Sequence, residues 1–268
     1  MVFFIRSAFA ETKIKQEPST HHPMKTSKNT ILITGGTAGI GLEIAKQFAA
    51  KGNQVIVTGR DEARLKKALT QIPGAHGIVS DVSNGKDVEQ LVKKLYAEFP
   101  SLNIVVNNAG RAYLADLAEG QGTFEKASEE MLTNYLSIIR LNEAVLPLLK
   151  EQNEAAIVNV SSIVALTPNH RTATYGASKA ALHSYTQSLR IALAKNSPVK
   201  VFELMPPLVN TDFSQEIGGE RGIPPAAVAT DLIHAIESNT YEVHVGQTAY
   251  IYDLSRSAPA EALLAMNP

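Results

Sequence analysis

The chain has 268 residues, 44% of them hydrophobic and 19% charged, with a formal net charge of -1 and no cysteine. That length buries a full core and fits one large α/β domain better than two small ones, while near-neutral charge without a basic run gives no electrostatic footing for nucleic acid. The missing cysteines exclude disulfides, thiolate metal sites and cysteine nucleophiles and fit a cytoplasmic setting, and no apolar stretch reaches the ~20 residues of a membrane span.

Residues 1–28 mix a short apolar start (Val2, Phe3, Phe4, Ile5) with a polar tract holding Pro18 and His21-His22-Pro23. Arg6 interrupts an apolar run already too short for a secretory leader, so this segment is expected to be a disordered extension. From Thr30 onward, short apolar runs alternate with amphipathic stretches, the signature of βαβ units on a parallel sheet. Ile31 to Ile33 reads as the first buried strand, followed by a glycine turn and a helix over about 40–51. Gln54 to Thr58 is the second strand, and Asp61 caps a helix through Gln71. Gly77 to Val79 is a third strand, 87–99 a helix with Val88, Leu91, Val92 and Leu95 on one face, and Asn103 to Val106 a fourth strand. A long helix over about 128–150 is expected to bend at Pro147. Ile157 to Val160, a helix to about Lys195, Val199 to Leu204, a helix over 226–237 and a short strand at Glu242 to Val245 complete the pattern. Seven strands with no composition break predict a single-domain Rossmann-type doubly wound sheet over residues 29–268, its parallel strands flanked by helices on both faces.

Two places along this pattern carry chemistry. Thr34-Gly35-Gly36-Thr37-Ala38-Gly39-Ile40-Gly41 lies between the first strand and first helix, where backbone N–H groups can approach a pyrophosphate. The second strand ends Thr58-Gly59-Arg60, with glycine where an acid would receive the ribose 2′-hydroxyl; a guanidinium there favours a 2′-phosphate and hence NADP(H), with NAD(H) the alternative. Farther on, Tyr175 and Lys179 are spaced i and i+4 on one helix, so phenol and ammonium share a face, thirteen residues after Ser162. A free tyrosine has a pKa of about 10, and an adjacent cation brings it toward working range for proton transfer. A nearby serine hydroxyl could hold a substrate carbonyl. His76, His183, His234 and His244 lack metal-ligand spacing and are assigned no function, and no metal site is expected.

Taken in order, the glycine turn, Asp81 after the third strand, Asn107-Asn108-Ala109-Gly110 after the fourth, Ser162, Tyr175 and Lys179 resemble the short-chain dehydrogenase/reductase family. The likeness covers about Thr30 to Val245. Phe202 to Val209, with Tyr252-Asp253-Leu254-Ser255-Arg256, is similar to its DltE-like branch. The resemblance implies an NAD(P)-dependent oxidoreductase in which Tyr175 gives or takes the proton of a carbonyl or alcohol. Lys179 holds the nicotinamide ribose and lowers the tyrosine pKa, Ser162 binds the reacting oxygen, and Asn134 supports a proton relay. It further implies cofactor contacts from Gly35, Thr37, Gly39, Ile40 and Gly41, from Asp81 and Val82 at adenine, and from Asn107, Ala109 and Gly110. Pro206, Val209 and Thr211 fall near the nicotinamide, and Pro207 replaces a usual glycine there.

A short substrate lid is expected at 212–223, over a cleft lined by Tyr113, Leu114, Ile163, His170, Leu208 and Phe213 that suits a small or medium carbonyl compound. Apolar helix surface over 128–150 and 174–195 predicts a homodimer or homotetramer. The alternative function is an NAD(P)-binding redox sensor or regulator without significant turnover.

Overall fold

The computed structural model describes residues 23–120 and 122–268. Seven parallel strands form one sheet in the order β3-β2-β1-β4-β5-β6-β7: β1 (Thr30–Ile33), β2 (Gln54–Gly59), β3 (His76–Val79), β4 (Leu102–Asn107), β5 (Ala155–Val160), β6 (Val199–Met205) and β7 (Glu242–His244). The helices between them are α1 (Gly39–Ala50), α2 (Glu62–Leu69), α3 (Gly85–Glu98), α4 (Thr123–Met131), α5 (Ser137–Lys150), α6 (Ala173–Ala194) and α7 (Pro225–Ser238). Strand order reverses beside β1, between β1 and β4, so the loops after these two strands splay apart and open a crevice at their carboxyl ends.

Because a parallel sheet is covered on both faces, its central strands are apolar runs rather than alternating ones. One face, carrying Val158, Val160, Phe202 and Leu204, packs on α1 and α7 through Ile44, Phe48, Val228 and Leu232. The other, carrying Ile157, Val199 and Val201, packs on α3 and α5 through Leu91, Leu95, Leu141 and Val145, and on Leu193 of α6. Met24 is buried in the first of these layers and Thr26 donates to Glu237 Oε1 at 2.5 Å, so packing begins inside the segment read as an extension. Residues 1–22 lie outside the described residues.

Three regions differ from the sequence reading. The long helix expected over 128–150 starts earlier, at Thr123, and contains a π-helical segment, Leu132–Leu136, between α4 and α5. A π turn inserts one residue into the ladder and rotates the side chains that follow, a change no apolar period reveals. Pro147 sits inside α5, which runs on to Lys150. Beyond β7, where no further element was expected, the chain forms α8 (Gln247–Ser257) and α9 (Pro259–Met266). The 212–223 segment folds into 3-10 turns, Asp212–Ile217 and Gly219–Arg221, and its far end returns to the strand exit through Asn210 N–H to Ile223 O at 2.8 Å and Ile223 N–H to Leu208 O at 3.0 Å.

Candidate active site

At the carboxyl end of β1 the chain turns through Thr34–Ala38 into α1, whose N-cap residue, Ala38, makes no side-chain cap bond. The first N–H groups of α1 therefore lack a side-chain acceptor at the positive end of the helix, a ready site for an anion. Gly39 has φ of 54°, a conformation that costs other residues energy. Gly41 is required by close approach, since a Cβ there would stand 2.4 Å from Asn108 Nδ2 and 2.6 Å from Gly35 O. Asn108 stitches the loop after β4 to this turn, donating to Thr34 O at 3.0 Å and Gly35 O at 3.1 Å. Thr34 Oγ1 accepts the Asn108 and Ala109 N–H groups, both at 3.1 Å. Thr211 reaches the same turn from the other side, its Cγ2 3.0 Å from where a Gly39 Cβ would be.

The far end of the crevice is basic. An open pocket of about 320 Å³ is lined by Thr37, Arg60, Asp61 and Arg64. Asp61 accepts the Arg64 N–H at 2.8 Å and so serves as the N-cap of α2. Arg64 was not anticipated, although its i+4 spacing from Arg60 across the start of a helix was a usable signal. Asp81, across the strand ends, accepts both the N–H and the hydroxyl of Ser83, at 2.8 and 2.6 Å. Burial works against its charge, but the Ser83 bonds and the Arg60 guanidinium together hold its carboxyl below the usual range.

Closer to the middle of the sheet, Ser162 follows β5, and Tyr175 and Lys179 project from the first two turns of α6. The Ser162 hydroxyl accepts the Val164 N–H at 3.4 Å and stands close enough to the Tyr175 phenol to favour its ionised form. The Lys179 ammonium donates to Val160 O at 2.8 Å and lies 5.6 Å from the centroid of the Tyr175 ring. Tyr175 keeps some solvent exposure, yet desolvation dominates its ionisation and pushes the phenol well above its ordinary pKa; the Ser162 hydroxyl opposes this only in part. Burial pushes Lys179 the other way, down to about 8, and the Glu203 carboxylate acts to hold it up. At neutral pH the pair is therefore a protonated phenol beside a charged ammonium.

Asn134 stands in the π segment, fully buried, with Oδ1 accepting Arg111 N–H at 2.8 Å and Nδ2 donating to Arg111 O at 2.8 Å and Ser178 Oγ at 2.9 Å. A Cβ on Gly110 would stand 3.4 Å from Asn134 Oδ1 and 3.9 Å from Lys179 Nζ, which places these three residues together. Asn107 faces elsewhere: its amide donates to Asn142 Oδ1 at 2.9 Å and Asn159 Oδ1 at 2.8 Å, beneath α5 and α6. Of the expected cleft residues, Phe213 lies against Tyr175 with ring centroids 6.0 Å apart. Tyr113 donates its hydroxyl to Glu129 at 2.5 Å, and Arg111 pairs with the same carboxylate. His170 is tied down by Asn267, which accepts its N–H at 2.8 Å. Among the described residues no group of three or more metal-ligating side chains occurs.

A doubly wound sheet with a glycine turn at the start of its first helix and a serine, tyrosine and lysine at one crevice is the arrangement of a Rossmann-type dehydrogenase. The short chain dehydrogenase family matches residues 29–222, and the chain belongs to that family. It is an NAD(P)-dependent dehydrogenase/reductase, similar to a DltE-like branch. It is 39% identical over 208 residues to the uncharacterized oxidoreductase DltE of Bacillus subtilis (strain 168), covering 78% of this chain and 82% of that one. It is 35% identical over 191 residues to the NADP-dependent 3-hydroxy acid dehydrogenase YdfG of Shigella flexneri, covering 69% and 74%. A short-chain dehydrogenase/reductase from Burkholderia phymatum, solved in complex with NAD, superposes with a TM-score of 0.82 at 22% identity over 91% of this chain and 98% of that one.

Proposed function

We propose that the protein is an NADPH-preferring reductase of small or medium carbonyl compounds, reversible toward the alcohol, with Tyr175 as general acid and base. The observation that carries this reading is the Lys179 ammonium 5.6 Å from the Tyr175 ring, with the Ser162 hydroxyl beside the phenol. The residues fit a nicotinamide dinucleotide: the start of α1 has no side-chain cap, Gly41 admits no Cβ, and Arg60 and Arg64 wall an open pocket with Thr37. On this reading the turn from Gly35 to Gly41 holds the pyrophosphate and the two arginines hold a 2′-phosphate. Asp81 and Val82 border adenine, Ala109 and Gly110 the adjoining ribose, and Pro206, Val209 and Thr211 the nicotinamide. The name of the relative YdfG, which is NADP-dependent, supports the same preference.

When bound, the nicotinamide supplies or accepts the hydride. Everything else is the work of side chains. Ser162 donates a hydrogen bond to the substrate carbonyl oxygen, and Tyr175, protonated at neutral pH, delivers its proton to that oxygen as charge develops there. The Lys179 cation stabilises the phenolate left behind, while Phe213 packs beside Tyr175 and limits water. In the oxidative direction the same phenol must first lose its proton, so raising the pH favours alcohol oxidation.

Two experiments test the reading. A screen of NADPH consumption against aldehydes, ketones and alcohols is expected to find turnover; tight NADPH binding without turnover across a broad panel would favour the sensor instead. Replacing Arg60 and Arg64 together by alanine is expected to cut the NADPH-over-NADH preference by about tenfold or more, the worth of one to two charge-assisted contacts. An unchanged preference would defeat the 2′-phosphate assignment. We also infer a homodimer or homotetramer through the α5 and α6 side, where Leu136 and Ile191 are 47% and 65% exposed; a monomeric mass by light scattering would contradict this.

A further inference from the structure

Behind Lys179 lies a second cluster that the mechanism above does not use. Glu203, on β6, has a fully buried side chain. Its Oε1 accepts the Ser161 hydroxyl at 2.6 Å, and His183 Nδ1 lies 3.0 and 2.9 Å from its two carboxylate oxygens. Both oxygens act only as acceptors, so the histidine Nδ1 carries the proton. Each leg of the cluster touches the proposed chemistry. Ser161 directly precedes Ser162, and His183 follows Lys179 by one helical turn on the face that also carries Tyr175. A buried carboxylate is costly unless paired, so a side chain that only filled the space between β6 and α6 would be served more cheaply by an apolar residue.

We propose that Glu203 and His183 form a positioning pair that keeps the Lys179 ammonium charged and locks α6 to the strand end bearing Ser162. This inference rests on the Tyr175–Lys179 reading above. The groups facing the pair are few. Lys179, Gln187 and Arg190 come from α6, Glu242 and His244 from β7, and Ser161 from the end of β5. Arg190 is already paired with Glu242 at 2.9 Å, which leaves His183 as the direct cationic partner of Glu203. The hydrogen bond to Glu203 raises the His183 pKa above the ordinary imidazole value. Once rising pH removes that proton, the carboxylate charge is no longer balanced and acts more strongly on Lys179. The pair thus tightens the lysine's hold on its proton as the solution becomes more alkaline.

Removing the carboxylate charge should weaken the lysine's hold on its proton, while replacing a histidine already neutral at alkaline pH should not. The alkaline limb of the reductive kcat profile is expected to fall by about one pH unit in Glu203→Gln and to stay within about 0.3 unit of the native value in His183→Asn, with KM for NADPH little altered. In cofactor-free protein, the His183 ring protons followed by NMR should titrate above about pH 6.5 in the native chain and return toward that value in Glu203→Gln. If Glu203→Gln does not fold, Glu203→Leu is read in its place and is expected to lower the limb likewise, while Glu203→Asp, which keeps the charge, retains it. A limb that stays in place when the charge is removed, or that falls by a unit in Glu203→Asp or His183→Asn, would overturn the pair. Lys179→Met separates the two readings. Should it remain active, the Tyr175–Lys179 assignment falls and the pair with it; inactivity together with an unmoved Glu203→Gln limb would overturn the pair alone.

Discussion

The two faces of the sheet are alike at the start of the strands and opposite at their ends. Toward α1 and α7 the face stays apolar to the last residues, Val160 and Leu204. Toward α5 and α6, Ile157 and Val201 give way to Asn107, Asn159, Ser161 and Glu203, all buried. Most of these polar groups satisfy one another across elements, although Asn107 Oδ1 is left without a partner. Asn159 donates to Thr186 Oγ1 at 2.9 Å and accepts from Asn107, while Glu203 takes Ser161 and His183. One face therefore serves cohesion, and the other spends half its depth on a hydrogen-bonded floor for the helix that carries Tyr175 and Lys179. A polar floor specifies geometry at the expense of hydrophobic stabilisation, a trade often made beneath functional sites.

The largest contrast is expected at Lys179. Lys179→Met should lower reductive turnover by about 10³-fold, within the range of a lost acid–base partner, and yet stabilise the fold. The sign follows from ionisation: a lysine whose folded pKa is near 8, against 10.5 when solvated, pays for its charge below pH 8 and is relieved as pH rises toward 10.5. Native stability should thus rise between those pH values, and the gain from methionine, read as a thermal midpoint, should be greatest near pH 7. A midpoint lower than the native one would contradict the burial cost.

On neighbouring strands the faces can be set against each other directly, at Leu204 of β6 and Asn159 of β5. Leu204→Ala is expected to cost about 3 kcal/mol in urea unfolding, as a truncated core leucine does, while leaving the pH profile of turnover in place. A shifted profile would mean that the apolar face also sets the chemistry. Asn159→Val is expected to cost about 1–3 kcal/mol, less than the leucine, by removing one of the two acceptors of the Asn107 amide and the donor to Thr186 Oγ1, each of which keeps a second bond. A cost near zero would show the polar floor to be dispensable.

Much of this was legible beforehand, for a physical reason. Buried parallel strands are short unbroken apolar runs, so Ile31 to Ile33 and Ile157 to Val160 stood out, and the glycine turn and the Tyr175–Lys179 spacing are local in sequence. The π segment was hidden because inserting one residue into a helix leaves its composition unchanged. The helix α8 buries only Thr248 and Ile251, too sparse an apolar stripe to register, and α9 buries Ala262 alone. Glu203 and His183 meet only because α6 folds back along β6, and nothing in either segment marks the other. Asn107 sat in a recognisable motif, but the direction of its side chain depends on strand register.

The central claim is that Tyr175 is the proton donor at the crevice, and Tyr175→Phe tests it most directly. The variant removes the hydroxyl and little else. NADPH affinity, measured by fluorescence titration, should stay within about threefold, while turnover of a carbonyl substrate accepted by the native enzyme falls by about 10³-fold at neutral pH. Turnover within tenfold of the native enzyme, with cofactor binding intact, would contradict it.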